Sequence, residues 1–100
     1  MGNVNNIVFG GSGFIGRHLI DMLKGDYVNY DIEKAPNNYE YCDVRRIISS
    51  DVSINKESVI YNLAALCTIP KYQEKDYYET NVSGSVNICN FAREKNIKTI

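Results

Sequence analysis

Val8-Phe9-Gly10-Gly11-Ser12-Gly13-Phe14-Ile15-Gly16 reads as the end of a strand, a glycine turn and the first turn of a helix. Gly10 can turn where a side chain would clash, Gly13 lets the backbone come close to a ligand, and Gly16 lets the helix lie close to the strand before it. A helix that opens there brings unpaired N–H groups and a partial positive charge, and both favour a dianionic phosphate. Three glycines at this spacing also occur in ordinary Gly-rich turns, so the context decides. The apolar run Ile7, Val8, Phe9 enters the turn and an amphipathic helix leaves it. A second strand then ends in Asp31, 21 positions after Gly10. A carboxylate about 20 residues on is where both ribose hydroxyls of an adenosine can be accepted. Together the three features predict a dinucleotide site.

Working outward, residues 4 to 9 form a first strand that is apolar at its end, as expected for a strand covered on both faces. Ile15, Leu19, Met22 and Leu23 recur at helical spacing between about Gly13 and Lys24, and Gly25 supplies the stop. Tyr27, Val28 and Tyr30 make the second strand, and the segment from Glu33 to Asn38 has turn chemistry. Tyr39 to Cys42 is a short third strand, followed by Asp43-Val44 and a helical patch over Arg45, Arg46, Ile47 and Ile48. Ser49 to Ser58 reads as a loop or a short helix starting near Ser53, and Ser58 to Leu63 as the fourth strand. Small Ala64 and Ala65 follow at once and would let a ligand approach the strand end. One long helix is expected from about Tyr72 to Lys95, with Val82, Val86 and Cys89 on one stripe and Ile88, Phe91 and Ala92 beside it. Ile97 to Ile100 opens a fifth strand, where the sequence stops. Strands that alternate with helices give an α/β fold, a Rossmann-type doubly wound parallel sheet, here its N-terminal part as one domain over residues 1–100. Right-handed crossovers put the site at the carboxyl ends of the strands.

With 44% hydrophobic and 23% charged residues the chain has the mix of a soluble globular domain. A net charge of −1 without a basic block argues against nucleic acid and acidic membrane surfaces as partners. An apolar run of transmembrane length is absent, as is a basic segment followed by an apolar one at the start, so a cytoplasmic location is the expectation. Cys42, Cys67 and Cys89 are odd in number and widely spaced, which indicates neither a disulfide framework nor a metal site, and they read as reduced thiols. His18, the single histidine, reads as an ordinary residue of the first helix.

Four runs resemble one family. Gly10 to Gly16, with Phe14-Ile15 between the second and third glycines, is similar to the glycine motif of the extended short-chain dehydrogenase/reductases, the NAD-dependent epimerases and dehydratases of nucleotide sugars. Asp43-Val44 resembles the family's acidic residue beside the adenine ring. Asn62-Leu63-Ala64-Ala65 resembles its strand-four segment, with Leu63 where His is common. Tyr78 to Ser85 resembles a stretch of its fourth main helix, with Ser85 where Thr is commoner. The resemblance implies that Gly10, Gly13 and Gly16 shape the pyrophosphate turn while the amides of Phe14 and Ile15 bind the phosphates. It places Asp31 on the adenosine ribose, Asp43 and Val44 beside the adenine, and Leu63, Ala64 and Ala65 along the nicotinamide half. Asn81 is implied as a positioning residue on the cofactor side. Asp31 would repel a 2′-phosphate and Ile32 follows it, so NAD is expected before NADP, with Lys34 close by in sequence.

The family's chemistry also uses a Ser or Thr after the fifth strand and a Tyr and Lys four residues apart on the next helix, where the Lys lowers the Tyr pKa. These 100 residues hold no catalytic candidate in the right place. Tyr30 and Lys34 have the spacing but straddle Asp31 at a strand end, where no helix face is shared. Arg17, Arg45 and Arg46 read as solvated, with Arg45 or Arg46 the candidates to touch the adenine side. The implied function is the NAD-binding part of a nucleotide-sugar epimerase or dehydratase. Two alternatives stay open at this point: a non-catalytic dinucleotide sensor or scaffold, and an NAD(P)-dependent reductase of a non-sugar alcohol or ketone. The wide apolar face of the long helix, together with the resemblance, implies a homodimer for the complete protein.

Overall fold

The apolar runs of the sequence become four parallel strands: β1 (Val4–Phe9), β2 (Val28–Asp31), β3 (Tyr39–Tyr41) and β4 (Ile54–Asn62). Helix α1 (Phe14–Leu23) connects the first two, and α2 (Glu74–Tyr78) and α3 (Gly84–Glu94) follow the fourth. The sheet order is β3-β2-β1-β4, a Rossmann-type α/β arrangement as expected. The computed structural model describes residues 4–66 and 72–100, with Asn55 described by its backbone alone. The reading of Cys67 as a reduced thiol falls outside those residues.

Register explains the core. Ile7 pairs with Val28 and Ile60, and Phe9 pairs with Tyr30, so these side chains share one face of the sheet. Ile88, Phe91 and Ala92 of α3 close over that face, with Val44, Ile48 and Ile97 at its margin. Phe9 stacks on Tyr30 at 5.2 Å between ring centroids and meets Phe91 edge-on at 5.9 Å. Each of these large side chains stabilises the fold by roughly 1.5–3 kcal/mol through burial. Val8 and Asn29, which pair with each other, occupy the opposite face and are fully buried.

Several boundaries differ from the expectation. Strand β4 begins at Ile54, inside the stretch read as loop or short helix, because Ile54 pairs with Val4 and packs against the core. The polar residues Lys56 and Glu57 conceal this strand, since they face solvent. In place of a helical patch there is a turn over residues 44–46, closed by the Arg46 N–H on the Asp43 carbonyl, with Val44 and Ile48 buried and Ile47 90% exposed. At the end of α1 the expected Gly25 does adopt a positive φ (88°), and Lys24 before it is left-handed as well (φ 51°). The long C-terminal helix starts at Glu74 and is interrupted by a π-helical turn over Glu79–Ser83. Its buried residues are Gly84, Ile88, Phe91 and Ala92, while Val82, Val86 and Cys89 face solvent. Beyond α3, Thr99 makes one parallel bridge to Val59, at the place where a fifth strand was expected.

Candidate dinucleotide site

Strand order decides where a ligand can enter. The chain moves outward from β1 to β2 and β3, then crosses back to β4 on the other side of β1. Loops leaving β1 and β4 therefore diverge, and a crevice opens at their carboxyl ends. A cleft of about 550 Å³ lies there, within the usual size for small-molecule sites. Its walls are the glycine turn, Asp31 to Glu33 after β2, Cys42 to Arg45 after β3, and Leu63 to Leu66 after β4.

The turn is built by close approach. Gly10 has φ +86°, and a Cβ there would sit 2.6 Å from the Leu63 carbonyl carbon and 2.7 Å from the Ala64 nitrogen. Only glycine combines that conformation with that contact. Gly16 is buried, and a Cβ there would lie 2.5 Å from Gly11 Cα and 2.6 Å from the Gly10 carbonyl oxygen, so the start of α1 lies directly against the turn that leaves β1. Gly13 caps α1 with no side-chain hydrogen bond, and the first turn of α1 holds no acidic residue. A Cβ on Gly13 would meet nothing nearer than the Gly10 oxygen at 3.6 Å, so this flank of the turn is open.

Asp31 ends β2 and faces the turn. Its Oδ2 accepts the Ser12 N–H at 3.0 Å and its Oδ1 accepts the Glu33 N–H at 2.9 Å. A carboxylate has about four acceptor positions, so each oxygen keeps capacity for a further donor. Asp43, after β3, is gripped by Arg45, whose Nε and Nη2 donate to its two oxygens at 2.9 and 2.8 Å. The guanidinium's hydrogen bonds hold the Asp43 carboxyl below the usual carboxylate range. Arg45 is thus committed to Asp43 on the cleft wall, not simply solvated. Val44 turns inward, toward a glycine of α3: a Cβ on Gly84 would lie 2.8 Å from Val44 Cγ2. Asn87 Nδ2 donates to the Val44 carbonyl at 2.8 Å, which fixes the same turn to the helix. Burial pushes the half-buried Cys42 thiol up to about 11, helped by the Asp43 and Asp31 charges.

Across the cleft the loop after β4 is tied to the π-helical turn. Asn81 Oδ1 accepts the Leu66 N–H at 2.8 Å, and Asn81 Nδ2 donates to the Leu66 carbonyl at 3.0 Å. One side-chain amide therefore pairs with both polar groups of one residue's backbone. Ser85 Oγ donates to the Asn81 carbonyl at 2.8 Å, and the Ala64 N–H donates to Asn62 Oδ1 at 3.2 Å.

Of the residues singled out in the sequence, Gly10, Gly13, Asp31, Asp43, Val44, Leu63, Ala64 and Ala65 line one cleft. Phe14 and Ile15 present their side chains to solvent, 73% and 67% exposed, so only their backbone bears on the turn. Gly16 and Asn81 stand behind the lining. Tyr30 and Lys34 do not form a pair: the Tyr30 hydroxyl is hydrogen-bonded to Ser50 Oγ, and Lys34 is exposed. His18 is exposed and leans on Phe14. Asn29 escaped the sequence reading. Its Oδ1 accepts the Gly11 N–H at 3.0 Å and its Nδ2 donates to Ser12 Oγ at 3.1 Å. The signal for it was present, since period two puts Asn29 on the same face as Asp31. Among the described residues no cluster of three metal-ligating side chains occurs, and no helix is long and apolar enough to cross a membrane.

A glycine turn at the point of reversal in a parallel sheet, with an acidic residue ending the neighbouring strand, defines a Rossmann-type α/β domain. More particularly, residues 6–100 match the model of the NAD dependent epimerase/dehydratase family, and the chain belongs to that family. It is 28% identical over 117 residues to the bifunctional protein GAL10 of Candida maltosa, covering 94% of this chain and 76% of that relative. The fold is similar to that of an L-threonine dehydrogenase from Phytophthora infestans, with a TM-score of 0.80 at 22% identity over 95% of this chain and 34% of that one. It is also similar to MoeE5 in complex with UDP-glucuronic acid and NAD, with a TM-score of 0.73 at 22% identity over 97% of this chain and 34% of the other. The chain spans about a third of the length of these solved structures.

Proposed function

We propose that this chain is the NAD-binding portion of an NAD-dependent epimerase or dehydratase that acts on a nucleotide sugar, a soluble cytoplasmic enzyme that works as a homodimer. The observation that carries the reading is the cleft at the sheet's point of reversal, where a side-chain-free turn, an uncapped helix start and the Asp31 carboxylate face one another.

The residues present fit the cofactor. At Gly10 no Cβ can be accommodated and at Gly13 the backbone is open, which suits a pyrophosphate laid across the turn. The N–H groups of Phe14 and Ile15 lie in the first turn of α1, where backbone donors and the helix dipole favour an anion. Asp31 would accept the adenosine ribose hydroxyls with its remaining lone pairs. Asp43 and Val44 would border the adenine, and Leu63, Ala64 and Ala65 the nicotinamide half, with Asn81 holding that loop through Leu66. Bound NAD supplies reversible acceptance of a hydride from a sugar carbon. The part of the residues named here is to bind and orient the dinucleotide. The family and the nucleotide-sugar complex of a similar fold support the substrate class.

NAD rather than NADP is the expected dinucleotide. The cleft wall carries the carboxylates of Asp31, Glu33, Asp43 and Asp76 against the guanidinium of Arg45, which Asp43 already engages. A 2′-phosphate would meet like charge there, and among the described residues that line the cleft the one cation, Arg45, is already engaged by Asp43. Calorimetric titration of the Asp31→Ala variant tests this. Loss of two charge-assisted hydrogen bonds should weaken NAD about tenfold to a hundredfold and raise the NADP-to-NAD affinity ratio. An unchanged ratio refutes the role given to Asp31.

A further inference from the structure

Asn29 is fully buried in the middle of β2, between Val28 and Tyr30, which are also buried. Burying an amide costs free energy unless it is hydrogen-bonded, and an aliphatic side chain would fill the same space without that cost. Its side-chain partners therefore indicate why it stands there. Both belong to the glycine turn: the Gly11 N–H on one side of the amide and Ser12 Oγ on the other. Ser12 passes the connection on, since its Oγ donates to the Glu33 carbonyl at 2.7 Å and its N–H donates to Asp31 Oδ2. The Glu33 N–H returns to Asp31 Oδ1. The turn thus rests on the Asn29 amide so closely that a Cβ on Gly11 would lie 2.5 Å from Asn29 Oδ1.

We infer that Asn29 is a positioning residue that sets the glycine turn and, through Ser12, locks the turn to the Asp31 carboxylate, so that the pyrophosphate and ribose ends of a dinucleotide are held at a fixed separation. This rests on the dinucleotide reading given above. Asn29 itself touches no ligand, since it is absent from the cleft lining. It acts by removing conformational freedom from a turn whose N–H groups would otherwise have to be ordered on binding.

The test is a pair of titrations of the full chain, with ADP-ribose and with adenosine, followed by 15N–1H NMR, which also reports whether each variant is folded. Asn29→Leu removes both bonds, whereas Asn29→Asp keeps the acceptor for the Gly11 N–H. The preference for ADP-ribose over adenosine should fall about three- to tenfold in Asn29→Leu and less in Asn29→Asp. A structural role alone would lower the unfolding midpoint and leave that ratio where it was. A folded Asn29→Leu or Asn29→Asp variant with the wild-type ratio overturns the inference. Where Asn29→Leu does not fold, Asn29→Asp and hydrogen exchange at the wild-type Gly11 amide decide: a Gly11 amide that exchanges as fast as an exposed one also overturns it. A wild-type chain that binds neither probe overturns the dinucleotide reading, and this inference with it.

Discussion

Tyr30 combines two demands at one residue. Its ring packs on Phe9 and Phe91 in the core, and its hydroxyl is hydrogen-bonded to Ser50 Oγ. Burial pushes its pKa from 10.0 up to about 12, against the opposing effect of the Ser50 hydrogen bond. A folded-state pKa above the unfolded one means that the unfolded chain releases its proton first as pH rises. The stabilisation is fully present below about pH 10 and is lost between about pH 10 and 12. Tyr30→Phe should therefore show a shallower loss of stability across that window, measured by urea unfolding at a series of alkaline pH values. Equal slopes for the two proteins would contradict the burial account. The aromatic nature of Tyr30 and its place before Asp31 can be read from the sequence. The Ser50 contact cannot, because it joins β2 to a segment 20 positions away that has no periodic pattern.

At the scale of elements, the glycine turn, the acidic end of β2 and the alternation of apolar runs made the parallel sheet and most of the cleft lining legible. Those features are local: one backbone conformation, one spacing and one periodicity carry them. What stayed hidden depends on contacts distant in sequence. Ile54 joins the sheet through Val4, and Gly84 is required by Val44, a residue 40 positions earlier. The π-helical turn has no composition signal either, because Glu79–Ser83 continues the polar and apolar pattern of a helix. Its effect is geometric. One extra residue per turn rotates the following helix by roughly 100°. Asn81 can then reach Leu66 while Ile88, Phe91 and Ala92 still reach the sheet. Asn81→Ala should release the loop after β4, at a cost of about 1–3 kcal/mol in stability for two lost hydrogen bonds. Faster hydrogen exchange at the Leu66 amide, with exchange of β1 unchanged, is the expected record. Protection at Leu66 that survives the substitution would show that the loop is held by something else.

For the molecule as a whole, the two faces of the sheet are covered unequally. The α3 side holds the aromatic core, yet the outer surface of α2, the π-helical turn and α3 carries Tyr78, Val82 and Val86 at 61%, 46% and 54% exposure. These residues recur every four positions, and Cys89 continues the stripe as an exposed thiol. Such a stripe is the expected seam for an antiparallel or parallel copy of the same helix, since an isologous contact brings the stripe against itself. Burying one valine from each copy contributes on the order of 1.5–3 kcal/mol. Val82 and Val86 are already about half buried, so two such pairs contribute about 3–6 kcal/mol, and Tyr78 and the rest of the stripe must add to the seam before the cost of association is met. The homodimer proposed above therefore predicts that a Val82→Asp, Val86→Asp double variant sediments as a monomer where the wild-type protein sediments as a dimer. Four carboxylates would face one another without partners, which costs more than the lost apolar contact alone. Affinity for ADP-ribose should be unchanged, because neither valine lines the cleft. A wild-type protein that sediments as a monomer at every concentration, or a double variant that stays dimeric, removes this stripe as the seam.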